Sequence, residues 1–435
     1  MLHNDVAYTG YEAVLDGTPD QELTRTGRGT PGGEYLRRFW QPVAYSHEIE
    51  QAPLRVRIMG EDLVVFRDRS GAVGVLHLRC QHRGTSLEYG RVEEHGIRCC
   101  YHGRVFDVDG SILEMPGERE AEKLMKRFKQ GAYPVHVFAG LVFAYMGPIE
   151  KKPPFPLYDK YFLPGMKLVP GPRVPFACNW VQVKENAMDP AHTAILHAWE
   201  GMFASEFGKF PQITWLSTPV GVAYAAARRV DENVWVRTTD IMMPNIHSIT
   251  SVFESGRQPR DCSPPWITIW TVPRDDEYSH QFVILHVRET DHTPTEIHHR
   301  IITNGQTPDR PYAERQQVPG DYDAITSVGL MPPHSIEHLG TLDQGIMLFR
   351  KSLREGIRAV QDGQDPQGLI QDTDVRPTYA SDMVAPLSAM QGDPDDPAAL
   401  MQFARDTIAR YLTAPPLRNG SIPEAPPYPR FDAAE

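Results

Sequence analysis

The chain has little cysteine: five residues in 435, at Cys80, Cys99, Cys100, Cys178 and Cys262. An odd number, with three crowded between positions 80 and 100, does not make a disulfide framework and reads instead as a metal site in a reducing compartment. Long hydrophobic runs are also missing. No stretch reaches the roughly eighteen consecutive apolar residues that a membrane span needs. The opening segment, MLHNDVAYTGYEAVLDG, has neither a basic n-region nor an apolar h-region, so no signal peptide is expected and the expected compartment is the cytoplasm. Positive charge is in deficit, 44 Lys and Arg against 56 Asp and Glu, a net charge of −12. That balance argues against nucleic acid and anionic membrane as partners, and leaves the substrate open. Low-complexity tracts and internal repeats are absent too, and the length suits two or three ordinary domains.

What is present divides near residue 150. A short helical segment follows the turn Thr30-Pro31-Gly32-Gly33, with Leu36, Phe39 and Trp40 as its apolar side. From Leu54 to about Met146 the runs LRVRI, LVVF, AVGVLHL, GRVFDV and GLVFAYM alternate with turn signals, which predicts a small antiparallel β domain. The Pro-rich stretch over 149–165 marks the boundary, giving units 1–150 and 151–435. The second unit mixes a helix near Asp189-Pro190 with the runs GVAYAAARRV, NVWVRTTDIMM, WITIWTVP and HQFVILHVRE. The first two runs are joined as a hairpin at Asp231-Glu232-Asn233. Leu342, Ile346, Phe349, Leu353, Ile357 and Val360 repeat at helical spacing, and one more helix is expected over 398–411 before a loosely held tail. The expected class is α+β: an antiparallel sheet with helices covering a face.

Chemistry concentrates first in Cys80-Gln81-His82 and, after a gap of sixteen residues, Cys99-Cys100-Tyr101-His102. Each loop offers one thiolate and one imidazole. A Rieske centre needs two Cys on one iron and two His on the other, which raises its potential above that of all-Cys clusters. Gly84 and Gly103 lie just beyond the histidines, where backbone can pass close to a cluster. Zinc is the alternative, although zinc sites usually pair like residues within one loop. Cys99 is preferred over Cys100 because the two-residue gap to His102 lets both side chains turn inward. The passage CQHRGTSLEYGRVEEHGIRCCYHGRVFDVDG resembles the Rieske loops of aromatic-ring hydroxylating oxygenases, with Gln81 and Cys100 where proline is usual and Arg104 where tryptophan is usual.

A second motif, Asn186-x2-Asp189-x2-His192-x4-His197, resembles the mononuclear-iron segment of the same oxygenases, in which both histidines are ligands. Asp189 is a natural helix N-cap with Pro190 at the first position. Five residues turn an ideal helix by about 140°, so the helix must distort for both rings to face one metal. A facial triad also needs a carboxylate. The resemblance assigns it to Asp343, at the head of the amphipathic helix, with Glu337 competing. It also implies that Asp189 bridges His102 of one subunit to His192 of the next, hence a homotrimer or a hexamer.

The resemblance covers nearly the whole chain and looks closest to the phthalate-dioxygenase-like and aromatic O-demethylase branch. It implies a terminal oxygenase with a [2Fe–2S] Rieske cluster and mononuclear Fe(II), using O2. Electrons would come from NAD(P)H through a flavin or iron–sulfur reductase or a ferredoxin. The implied substrate is an aromatic acid, undergoing ring hydroxylation or O-demethylation, the latter slightly favoured. Arg228, Arg237, Asn245 and His247 are pocket candidates among the strand runs, without a choice between them. A Rieske electron carrier and a zinc-stabilised binding protein are the other classes. The carrier would leave some 280 residues without a role.

Overall fold

The computed structural model describes residues 16–200 and 205–419, with Gly10 and Ala13 besides. The expected tail beyond residue 419 and most of the opening segment lie outside the described residues.

Three small antiparallel sheets build the first unit. Leu54–Ile58, Glu61–Arg67, Val73–His77 and Ala132–Tyr133 form one, and Arg91–Val92, Ile97–Arg98, Val105–Phe106 and Ile112–Glu114 another. Trp40–Tyr45, Leu141–Tyr145 and Val135–Phe138 make the third, so Trp40 begins a strand and does not continue the helix Pro31–Arg37. Pairing of Ile58 with Glu61 puts the first hairpin turn at Met59-Gly60, both left-handed at φ 47° and 79°. A turn of that hand matches strand twist, and Arg37 holds it by donating to the Met59 carbonyl at 3.0 Å.

The second unit is one eight-stranded antiparallel sheet. Its order is Met166–Phe176, Ser279–Arg288, Pro265–Pro273, Ile246–Thr250, Asn233–Met242, Gly221–Val230 and Gln212–Thr218, with Ser381–Pro386 paired to Asn233–Met242. The pairing of Val230 with Asn233 confirms the expected hairpin, with Asp231 at φ 51°. Strand alternation gives this sheet two distinct faces. Ala223, Ala225 and Ala227 occupy one, and their small side chains let helices Gln344–Gln361 and Pro397–Thr413 pack closely through Phe349, Leu353, Ile357, Ala404 and Ile408. Tyr224, Ala226 and Arg228 face the other way, into a cavity.

No sheet crosses residue 150, but residues 16–38 pack against the later half. Asp20 pairs with Arg354 at 2.5 Å, and Arg25 with Asp276 at 2.7 Å. The largest apolar cluster likewise runs from Leu23 through Tyr145 to Tyr411. The expected helix at Asp189-Pro190 is broken: a 3-10 turn, His192–Ala194, precedes a separate α-helical turn, Leu196–Glu200. Short helices Trp180–Glu185 and Asp321–Thr326, unforeseen in the sequence, flank this segment.

Candidate active site

Two loops with the same backbone form the first constellation. In one, the Cys80 amide donates to the Thr85 carbonyl and the Gly84 amide donates back to Cys80. In the other, the Cys99 amide donates to Arg104 and the Gly103 amide donates back to Cys99. Both closures require a left-handed residue, and Gly84 and Gly103 supply it at φ 79° and 71°. The first loop follows strand Val73–His77, and the second joins Ile97–Arg98 to Val105–Phe106. Cys80 and Cys99 are buried at 3% exposure and hydrogen-bond each other, whereas Cys100 is exposed. The His82 and His102 rings lie 4.6 Å apart at 71°. Burial pushes the Cys80 thiol up to about 11, partly offset by the His82 and Arg83 amides aimed at its sulfur. Two dry thiols, amides directed at the Cys80 sulfur and two neighbouring imidazoles fit a Rieske cluster, with binding driving off the thiol protons. His102 and Tyr101 stand at the surface, so the imidazole edge of the site is the accessible one.

The second constellation lies under the large sheet. The break between His192–Ala194 and Leu196–Glu200 is the distortion that turns the two histidines together, with ring centroids 5.2 Å apart. The carboxylate that joins them is Asp321. Its Oδ1 lies 3.6 Å from His192 Nε2 and 3.5 Å from His197 Nε2, and one ligand atom from each of the three falls within 4.8 Å of the others. Gln306 donates to Asp321 Oδ2 at 2.6 Å, and Asn186 reaches Oδ1 at 3.4 Å. Burial raises the cost of ionising Asp321, but both imidazoles and these two amides outweigh it and hold the carboxyl below its ordinary range. The His192 Nδ1 hydrogen goes to the Asp189 main-chain carbonyl, which leaves the Nε2 lone pair on the Asp321 side, with the Asn186 amide nitrogen 3.4 Å from it. This oxygen-and-nitrogen set, with a pocket in front of it, fits a mononuclear iron of the two-His, one-carboxylate kind.

Asp343 is not in this group, which corrects the expectation from sequence. Its carboxylate turns back to accept the Gly340 amide at 2.6 Å, a local cap at the head of helix Gln344–Gln361. Glu337 is also occupied elsewhere, with Arg350 at 2.5 Å, and Arg350 in turn grips Glu185. Asp189 does act as a cap, its Oδ1 accepting the Ala191 and His192 amides at 2.9 and 3.3 Å.

A cavity opens from the three ligand candidates onto the sheet face that carries Tyr224, Arg228, Arg237, Thr239 and His247. Arg228 donates to the Lys209 carbonyl and the Thr193 hydroxyl and stacks on Phe207 and Trp235. Burial pushes its guanidinium down to about 10, still cationic at neutral pH. Arg237 donates to the Thr250 and Ser251 carbonyls, with Asp382 at 3.7 Å. Of the other two pocket candidates, His247 is on this wall, while the Asn245 amide is spent on Gln41 and Thr271.

Residues 39–133 match the Rieske [2Fe–2S] domain family. Over 404 residues the chain is 43% identical to the tert-butanol monooxygenase / tert-amyl alcohol desaturase oxygenase subunit of Aquincola tertiaricarbonis, covering 86% of this chain and 85% of that one. It is 41% identical to the phenoxybenzoate dioxygenase alpha subunit of Ectopseudomonas oleovorans, covering 83% and 90%. It is 32% identical to the 5,5'-dehydrodivanillate O-demethylase oxygenase subunit of Sphingobium sp., covering 82% and 84%. Among solved structures, NdmA of Pseudomonas putida shares the fold at a TM-score of 0.60 and 20% identity, over 80% of this chain and 99% of that one. No described helix is long and apolar enough to cross a membrane. The chain therefore belongs to the Rieske non-haem iron oxygenases, as a terminal oxygenase component with a [2Fe–2S] cluster and mononuclear iron for cofactors and a reductase or ferredoxin for its electron source.

Proposed function

We propose that this oxygenase acts on an aromatic acid, by ring hydroxylation or O-demethylation with the latter slightly favoured, and that the single observation carrying this is Arg228 on the cavity wall. Among the described residues its hydrogen bonds go to neutral oxygens, so no direct ion pair cancels its charge. A buried guanidinium of that kind favours a carboxylate. Cys80, His82, Cys99 and His102 hold the cluster, and His192, His197 and Asp321 hold the mononuclear iron. Bound there, the two centres supply electron transfer and dioxygen activation. The protein's own part is to seat the acid against Arg228 and Arg237, to keep His192 in one tautomer through the Asp189 carbonyl, and to exclude water behind the sheet. Asp189, partly exposed beside His192, and His102, exposed on the imidazole edge, suit a bridge between neighbouring subunits, and therefore a homotrimer or a hexamer.

The relative named for tert-butanol favours a second reading, a small neutral alcohol. Oxygen uptake with product analysis separates the two, using plain and methoxylated aromatic acids beside tertiary alcohols, with a surrogate reductase. Coupled uptake on the acids is expected. Uptake on the alcohols alone would remove the aromatic-acid reading.

The cysteine assignment has its own test. Cys99→Ser should abolish the visible iron–sulfur absorbance, because the buried partner of Cys80 is gone. Cys100→Ser should leave the spectrum intact, since that side chain is exposed.

A further inference from the structure

The cavity has two lobes of unlike chemistry, and they meet at Asp321. The first, about 650 Å3 of empty space counting its mouth, is the arginine-bearing lobe already described. The second, about 720 Å3 on the same measure, is walled by Phe176, Trp266, Ile269, Ile301, Ile302 and Ile325. Both are lined by Asn186, His247, Ile249, Val252 and Asp321, so these five form the waist between them. Among the described residues no charged side chain other than Asp321 lines the second lobe, and the Gln306 amide on its wall is turned to Asp321. An apolar lobe of this kind excludes a second carboxylate, whose burial would be unpaired, and rewards a ring-sized apolar group.

The waist carries one more recognition element. Lys184 Nζ lies 2.6 Å from His247 Nδ1, and both side chains are buried. With the lysine amine as donor, Nδ1 accepts and the ring hydrogen sits on Nε2, free to be given to an oxygen at the waist.

We propose that the substrate is a two-part aromatic acid, an aryl ether whose carboxylate-bearing ring fills the arginine lobe and whose ring-sized apolar arm fills the lobe walled by Trp266. This rests on the aromatic-acid reading above and adds the second part. The ether oxygen lies at the waist, within reach of the His247 donor and beside the iron ligands. A methoxy group is too small an arm to fill the second lobe.

Steady-state kinetics of the holoenzyme test this with benzoic, methoxybenzoic and phenoxybenzoic acids, and with a benzylbenzoic acid in which CH2 replaces the ether oxygen. The phenoxy acid is expected to exceed the methoxy acid in kcat/KM by at least about tenfold. Narrowing the lobe with Ile302→Phe, or with Ile269→Phe should the first fail to fold, is expected to shrink that ratio by about tenfold. Phenoxy and methoxy acids turned over equally well, with a ratio that neither variant moves, would overturn the two-part substrate while leaving the aromatic acid standing. Turnover of neutral alcohols with no acid accepted would overturn both. A methylene analogue as good as the ether would overturn the role of the His247 donor.

Discussion

Asp321→Ala should lose oxygenase turnover by more than about 100-fold while keeping the full visible spectrum of the cluster. The carboxylate is the only one joined to both His192 and His197 among the described residues. Without it two imidazoles remain, too few to retain iron against chelators. Iron analysis should fall from about three atoms per chain to about two. Asp343→Ala is the paired control. It removes a cap on the Gly340 amide, which costs about 1 kcal/mol of stability, and should leave iron content and turnover near those of the parent protein. A variant of Asp343 that loses iron while Asp321→Ala retains it would reverse the assignment.

Asp189→Asn should keep iron at both sites yet drop turnover by more than about 100-fold. The amide oxygen of Asn can still accept the Ala191 and His192 hydrogens, so the local cap survives. The Nδ1 hydrogen of His192 is received by the main-chain carbonyl of residue 189, which the substitution does not touch. What disappears is the charge. Burial opposes ionisation of Asp189, but its bonds to His192 outweigh that and hold the carboxyl below its ordinary range, so an anion normally stands beside the ring. Oxygen uptake together with iron content checks the prediction. Normal turnover at full iron loading would leave Asp189 as a cap alone.

The two sites were not equally legible in the amino-acid sequence. Local spacing carried the cluster loops, because each ligand pair lies within four residues and the closing glycines mark the turns. The same holds for His192 and His197, where a five-residue gap required the broken helix that the structure shows. The hairpin at Asp231 and the helix Pro397–Thr413 were likewise written in short-range pattern. The carboxylate of the proposed iron site was not. Asp321 lies 124 residues beyond His197, on a six-residue helix with no strong apolar period of its own. Its one local sign is the glycine before it, and such Gly-Asp starts are common in loops. Asp343 had the stronger local signal, the head of a long amphipathic helix, and that helix does approach the site. A Cβ added at Gly345 would meet the Met188 carbonyl oxygen at 2.4 Å. Proximity of the helix did not aim its first carboxylate, which found a nearer donor in Gly340. The cavity lobes were also beyond reach of the sequence, since strands far apart in the chain supply their walls.

The most direct measurement is an anomalous difference map collected at the iron edge from crystals of the iron-loaded protein. Apart from the cluster signal between Cys80, Cys99, His82 and His102, the expected result is a single-iron peak bounded by His192, His197 and Asp321. A chain with cluster signal only, or a second peak held by Asp343 or Glu337, would contradict it.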